Sequence, residues 1–530
     1  MRQEPDHTFD QAISSAWQNE LAATYNRSLK QKLSQREGEL QHRFAEHYEK
    51  LRSLPRRMRR SLQRQWKRSL AGLALLMALG QAPALAATIN VGGTCTLVNA
   101  IVAANNNITA GGRCRKGRGA DTIVLPRNST QTLTQVNNTN YGPTGLPTIR
   151  TQITIVGNGS RIQRVNAAPR FRIFTVAKTG KLTLQKTTVT RGAVQRGAGG
   201  IDNKGVLNLV ESTVSGNQGC GVKSGEEYSD TGFYNDKVTV DKTTISGNAG
   251  CGIGASYSGS VVVTNSTISN YENDGIGVFI GRVRVVNSTI SGNGKSGIAL
   301  IESGAYIKNS TITGNSGSNP SLSFPPPGRL GGGVYVGYQA SASITNCTIS
   351  GNSADVGGGL YAHHYYDGSA TLNNSTITGN TASLRGGGAY FGSSPGSFSE
   401  FNRTLVSGNS APAGREIFVA TDDAFPVADR PAVGNFNIFG FNGSSGLESL
   451  SPETTDIVPS QPLSEILDTG LANNGGPTRT HALVAGSPAI DAVNDGTCPP
   501  PGRDQRGVSR PQDGNGDGGI ACDIGSFERQ

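Results

Sequence analysis

The phrase NSTISGN at residues 287–293 returns along the middle of the chain as ESTVSGN, KTTISGN, NSTITGN and NCTISGN, and this repetition constrains the fold more than any other feature of the 530 residues. The Asn that follows each strand-like phrase falls at 217, 248, 270, 293, 315, 352, 380 and 409, in steps of 31, 22, 23, 22, 37, 28 and 29. A smallest unit of 22 residues that tolerates insertions is the period of a stacked array, in which no unit buries its apolar face alone.

Within one unit the alternation is that of a strand: Ser288, Ile290 and Gly292 share one face, and Asn287, Thr289 and Ser291 the other. Gly-Asn then follows, a pair suited to leave the extended region through positive φ. A second strand precedes the phrase, as in GIGVFIG (275–281) and GGGVYVG (331–337). Short strands, tight turns and this period predict an all-β fold, a parallel β-helix with coils of about 22 residues plus insertions. Ile245, Ile268, Ile290, Ile312, Ile349 and Ile377 are expected to form an interior column, and the recurrent Asn a hydrogen-bonded one along the axis. The N-x-S/T triplets at Asn265, Asn287, Asn309, Asn346 and Asn374 are read as turn chemistry, not as glycosylation sites.

The net charge of +10 is unevenly spread: residues 1–86 hold 15 Lys and Arg against 8 acids, leaving 33 against 30 beyond them. With a balance this close to zero, nucleic acid is not expected as a partner of the main body. MRRSLQRQWKRS from Met58, the apolar LAGLALLMALG (70–80) and APALA (82–86) have the order of a cleaved export signal, the apolar run being short for a bilayer span. Residues 1–57 are then a charged extension, with translation expected to begin at Met58. The mature chain is expected outside the cell or on its surface, monomeric and without a membrane span. All seven cysteines lie beyond the signal, and spacing pairs Cys95 with Cys114, Cys220 with Cys251 and Cys498 with Cys522, leaving Cys347 unpaired.

The ends change character. CTLVNAIVAANNN (95–107) places Leu97, Ala100, Ile101 and Ala104 on one side of an amphipathic helix, suited to cover the first coil. Together with GADTIVL (119–125) it resembles the CSLREA motif of exported bacterial β-helix proteins, with Val98 and Asn99 in place of Arg-Glu. LANNGGPTRTHALVAGSPAIDA (471–492), DQRGVSRPQ (504–512) and CDIGSFE (522–528) resemble the choice-of-anchor Q domain. The resemblance implies a right-handed β-helix of the polymorphic-outer-membrane-protein or pectate-lyase type, with an N-terminal cap over 87–150, coils over 151–420 and an irregular C-terminal cap over 421–530.

Two candidate sites follow. With Val334, Leu360 and Ala389 inward, Tyr335, Tyr361 and Tyr390 point outward at one place on three successive coils, and His363 shares their face. Flat rings in a row are a platform for the CH faces of a polysaccharide or cell-surface glycan; the alternative is an exterior aromatic ladder that merely braces the coils. In DGNGDGGIACD (513–523), Asp513, Asn515 and Asp517 repeat the first half of a calcium loop, with Asp523 in place of the missing Glu. For catalysis the carboxylates Asp355, Asp367, Asp422, Asp423, Glu226, Glu227, Asp230 and Asp236 form no aligned pair. Three functions are compatible with the chain: binding or adhesion, a polysaccharide lyase or hydrolase, and a purely structural surface protein.

Overall fold

The computed structural model describes residues 86–530 except 112, 226–235, 258, 319–327, 364–368, 393–398, 421–431, 494–497 and 499–501; the expected extension and signal lie outside this range apart from Ala86. Strand after strand pairs parallel with its counterpart one coil on. Ile245 pairs with Ile268, Ile268 with Ile290, Ile290 with Ile312, Ile312 with Ile349 and Ile349 with Ile377, and all six are fully buried. The expected aliphatic column is therefore present, and the fold is a parallel β-helix.

Two left-handed turns bound each short strand and explain the repeated phrase. Asn287 takes φ 51° before Thr289–Ser291, and Gly292 takes φ 65° after it. The Asn of the N-x-S/T triplets is thus a turn residue, since Asn adopts this conformation at less cost than most residues. Between these turns Ser266 accepts from the backbone of Thr243, Ser288 from Ser266 and Ser310 from Ser288, at 3.0–3.2 Å. Cys347 occupies the same place in its coil, its N–H donating to Ser375 at 3.2 Å, and burial pushes its thiol up to about 12. It is free, and the three expected disulfides are formed.

The recurrent Asn makes a ladder through the interior. From Asn293 to Asn409 each side-chain amide donates to the next coil's Oδ1 at 2.7–2.9 Å, and each backbone N–H donates to the same atom. The ladder ends on Glu416, whose buried carboxylate accepts from the Asn409 amide at 2.6 Å and from Gly408 N–H at 3.0 Å. Burial raises the Glu416 carboxyl to about 7. Asn270 is not a rung, contrary to expectation: register places it beside Gly247 and Gly292, and Tyr271 falls where the Asn belongs. An upper pair, Asn217 and Asn248, is thereby separated from the lower run.

Helix α1 (Leu97–Asn106) covers the first coil, burying Leu97, Ala100, Ile101, Ala103 and Ala104. Thr96 caps it by accepting from Asn99 N–H at 3.2 Å, and the Cys95–Cys114 disulfide ties the preceding residue to the following loop. The C-terminal region extends the last coil through the Ile438–Ile457 bridge, then runs back along the flank as a clasp. Gln505 donates to Thr311 Oγ1 at 3.0 Å and accepts from Thr348 at 2.7 Å, while Ser526 and Thr376 hydroxyls meet at 3.0 Å. His481 accepts the Ser350 hydroxyl on Nε2 at 2.7 Å and donates from Nδ1 to the Asp468 carbonyl at 2.8 Å, and burial holds its pKa down. Beneath it the fully buried Arg510 donates to the carbonyls of Asp523 and Gly525 at 3.0 and 2.7 Å and lies 3.4 Å from Glu528. The residues of DQRG, THAL and GSFE are thus the contacts by which this region grips the coils.

Asn352→Ala removes one rung and leaves two buried donors of Asn315 without their acceptor; a loss of about 1–3 kcal/mol is expected in urea unfolding. Glu416 ionises near 4.5 in the unfolded chain and near 7 in the folded one. Between those values the unfolded state releases its proton first, so this group's stabilisation is full below about 4.5 and is lost as pH rises through 7. The difference in midpoint between pH 5 and pH 8 is accordingly expected to narrow in Glu416→Gln, measured by denaturant titration.

Candidate binding surface

Tyr335, Tyr361 and Tyr390 occupy one register position, as expected, and Phe418 adds a fourth ring. Ring centroids lie 5.4, 5.1 and 5.6 Å apart with interplanar angles of 10°, 2° and 2°. The rings are not exposed: Tyr335, Tyr361 and Tyr390 retain 6%, 3% and 5% of their surface. The chain just before each ring folds over the column, so Leu330 and Val356 pack against it, and Ser353–Val356 pairs with Thr381–Arg385 as a separate small sheet. Burial pushes the Tyr335 phenol up to about 12 and raises those of Tyr361 and Tyr390. The column is an internal brace and offers no face on which a sugar ring can stack. His363 pairs with Gly392 in its strand, and its side chain lies outside the described residues, as do His364 and Asp367.

The calcium set is not brought together either. Asp513, Asn515 and Asp517 share an exposed loop in which their oxygens accept that loop's own N–H groups: Gly516 to Asp513 at 2.7 Å, Asp517 to Asn515 at 2.8 Å and Gly519 to Asp517 at 2.7 Å. Asp523 is buried and turned inward, where it accepts from the N–H groups of Asp491, at 2.8 Å, and Arg529, at 2.5 Å. Among the described residues no group of three His, Cys, Asp or Glu is placed to hold a metal ion. Of the remaining candidate acids, Asp355 accepts from Arg329 N–H at 2.8 Å and Ser383 at 2.8 Å, Asp236 is buried against Ser224, and Glu226, Glu227, Asp230, Asp422 and Asp423 lie outside the described residues.

What the fold leaves open is the outward side of the Thr-Ile-Ser strands above the clasp. Thr213, Thr244, Thr267 and Thr289 stand in register one coil apart, with Ser215, Ser246, Ser269 and Ser291 two residues on. The four Thr and all of these Ser but Ser269 reach solvent, whereas Thr311, Thr348 and Thr376, the next rungs, are sealed by the clasp. Beside the open rungs lies a groove of about 470 Å³, lined by residues 216–218, 247–249 and 270–272. Tyr271 borders it but is itself buried, with 5% of its surface exposed. Its ring enters the space beside Gly252, where a Cβ would come within 2.9 Å of it, and leaves Asn293 Oδ1 buried without a hydrogen-bond partner. Glu272, Asn270 and Gln218 are exposed at the rim. The sequence signal for this place was ISNYEND, the one phrase that departs from its neighbours.

A family model described as a right handed beta helix region matches residues 200–411. The fold is accordingly a right-handed parallel β-helix. Among solved structures, the crystal structure of pectate lyase Pel9A aligns at a TM-score of 0.40 and 16% identity, over 77% of this chain and 88% of that chain. No curated protein matches the sequence. No helix among the described residues is long and apolar enough to cross a membrane.

Removing the central ring of the internal column, Tyr361→Ala, is expected to cost about 3–5 kcal/mol in urea unfolding, as for other buried aromatic residues. The same change at the exposed Tyr306 is expected to cost less than about 1 kcal/mol.

Proposed function

We propose that the chain is an exported β-helix that binds a glycan along the open Thr-Ser rungs, with the groove at Tyr271 as anchoring point. The observation that carries this reading is how the clasp holds the same rows a few coils further on. There an amide, an imidazole and a hydroxyl bond the strand hydroxyls rung after rung: Gln505 to Thr311 and Thr348, His481 to Ser350, Ser526 to Thr376. The rungs from Thr213 to Thr289 present the same donors and acceptors to solvent, at the strand spacing of about 4.8 Å. A sugar chain laid along the axis meets a hydroxyl pair on three of these coils and Thr267 alone on the fourth, and bridging water fills the longer gaps.

Export rests on the signal-like segment and on three disulfides, which persist in an oxidising compartment. The reading is one of binding: the acid at the groove, Glu272, stands exposed at its rim, whereas Asp355 and Asp236 are taken up in hydrogen bonds. Arrayed glycans, probed with wild type and with the double variant Thr244→Val, Thr267→Val, test it. The variant keeps the β-branched shape and removes two hydroxyls, so an identified glycan is expected to bind about tenfold more weakly, about 1.4 kcal/mol. Unchanged binding contradicts the surface, and release of new reducing or unsaturated ends favours a depolymerising enzyme.

A further inference from the structure

The near-neutral balance of the chain beyond residue 86 conceals a strong segregation of charge. Residues 87–210 carry 16 Lys and Arg against two acids, a net +14, whereas residues 211–530 carry 17 against 28, a net −11. Both acids of the basic stretch are buried and engaged. Asp121 accepts from the N–H groups of Ala87 and Arg118 at 3.0 and 2.7 Å, and Asp202 pairs with Arg172 and with Lys204 at 3.8 Å. The exposed cations of residues 87–210 therefore meet no exposed acid of their own stretch; Lys186 pairs with Glu211 just beyond it, at 3.6 Å.

The cations are placed, not scattered. Arg113, Arg115, Lys116 and Arg118 are exposed within six residues of one loop, tied by the Cys95–Cys114 disulfide and by Gly119 N–H to Asn107. None of the four makes an ion pair among the described residues. A column continues from this loop along the stack. Asp121, Ile153, Leu182 and Leu207 are register partners, and the residues three before them are Arg118, Arg150, Thr179 and Lys204, with Lys181 beside Thr179. The Thr179 hydroxyl bonds the Arg150 carbonyl at 2.9 Å, which places these corners in contact. Arg118 and Arg150 thus give exposed positive corners on successive coils, about 4.8 Å apart, while Thr179 takes the third corner and Lys204, paired with Asp202, the fourth; with the loop cations they offer a short track for a linear polyanion.

We propose that this N-terminal surface binds an acidic polysaccharide, a chain bearing carboxylate or sulfate groups along its length. Single-stranded nucleic acid is recognised with exposed aromatic rings on which bases stack; the exposed ring described in this stretch is Tyr141, with the Lys204 ammonium 5.9 Å above it. A membrane surface calls for apolar side chains to insert, and Ile108 is the exposed large aliphatic residue described here. The loop cations and the hydroxyls of Thr244 and Thr267 are different residues, so either assignment can fail alone.

The test measures binding of heparin, polygalacturonate and uncharged dextran to the purified protein at about 50 and about 200 mM salt. Two charge-matched variants accompany it: R113Q/R115Q/K116Q/R118Q in the loop and K237Q/K242Q/K295Q/K308Q outside the stretch, with melting curves to confirm folding. The acidic chains are expected to bind and the dextran not, with affinity falling about tenfold or more over that salt range. The loop variant is expected to lose about tenfold (about 1.4 kcal/mol) and the outside variant less than about threefold. Thr244→Val, Thr267→Val is expected to leave this binding unchanged. Equal loss in both charge variants, or equal binding of dextran, overturns the proposal. Tighter binding of single-stranded DNA or of anionic vesicles, lost in the loop variant, overturns it in favour of those partners.

Discussion

Backbone hydrogen bonds in this molecule run from one coil to the next, and everything else depends on the register they impose. A parallel ladder sets each residue about 4.8 Å from its counterpart, so a residue type is tested against its own kind. Ile on Ile makes a continuous buried column, Ser on Ser satisfies a buried N–H at each turn, and Asn on Asn does so twice per rung. The repeated phrase is a record of these three columns. Where a column must end, a different residue appears: Glu416 accepts the last Asn amide, and helix α1 closes the first coil.

The same stacking decides what remains for function. Insertions between rungs fold back over the outward tyrosines and convert a row of rings into a second, internal column. The clasp seals the hydroxyl rows of the later coils and leaves the earlier ones open. Function is therefore sought on surfaces that neither device covers: the Thr-Ser rungs beside the Tyr271 groove, and the cationic corner of the first coils. Both are linear along the solenoid axis, which suits a polymer better than a compact ligand.

Much of the fold was legible in the sequence because alternation of period two, punctuated by Asn and Gly at fixed places, leaves one way to stack the units. The Ile register, the capping helix and the three disulfide pairs follow from such local signals. What the site needed did not. That Tyr361 lies on an outward position was readable, but whether it is exposed depends on Val356 and Leu330 arriving from the chain before it, a tertiary event with no local signature. Counting Asn270 as a rung came from matching letters rather than register, and it hid Tyr271. For the acidic C-terminal loop, spacing alone does not say that Asp523 is buried and bonded to the N–H groups of Asp491 and Arg529. The near-neutral balance beyond residue 86 hid the segregation because the excess of +14 over residues 87–210 and of −11 over residues 211–530 nearly cancel.

The register itself is the claim on which the surfaces rest, and cross-linking measures it directly. Thr267 and Thr289 are partners on adjacent coils, whereas Thr244 and Thr289 are two coils apart. Cysteines at 267 and 289 are expected to form a disulfide rapidly under mild oxidation, their Cα atoms lying within the usual bridging range of about 4.4–6.8 Å, and cysteines at 244 and 289 are expected to remain reduced within one molecule. Efficient bridging of the second pair, or none of the first in a folded protein, contradicts the stacking and with it both proposed surfaces.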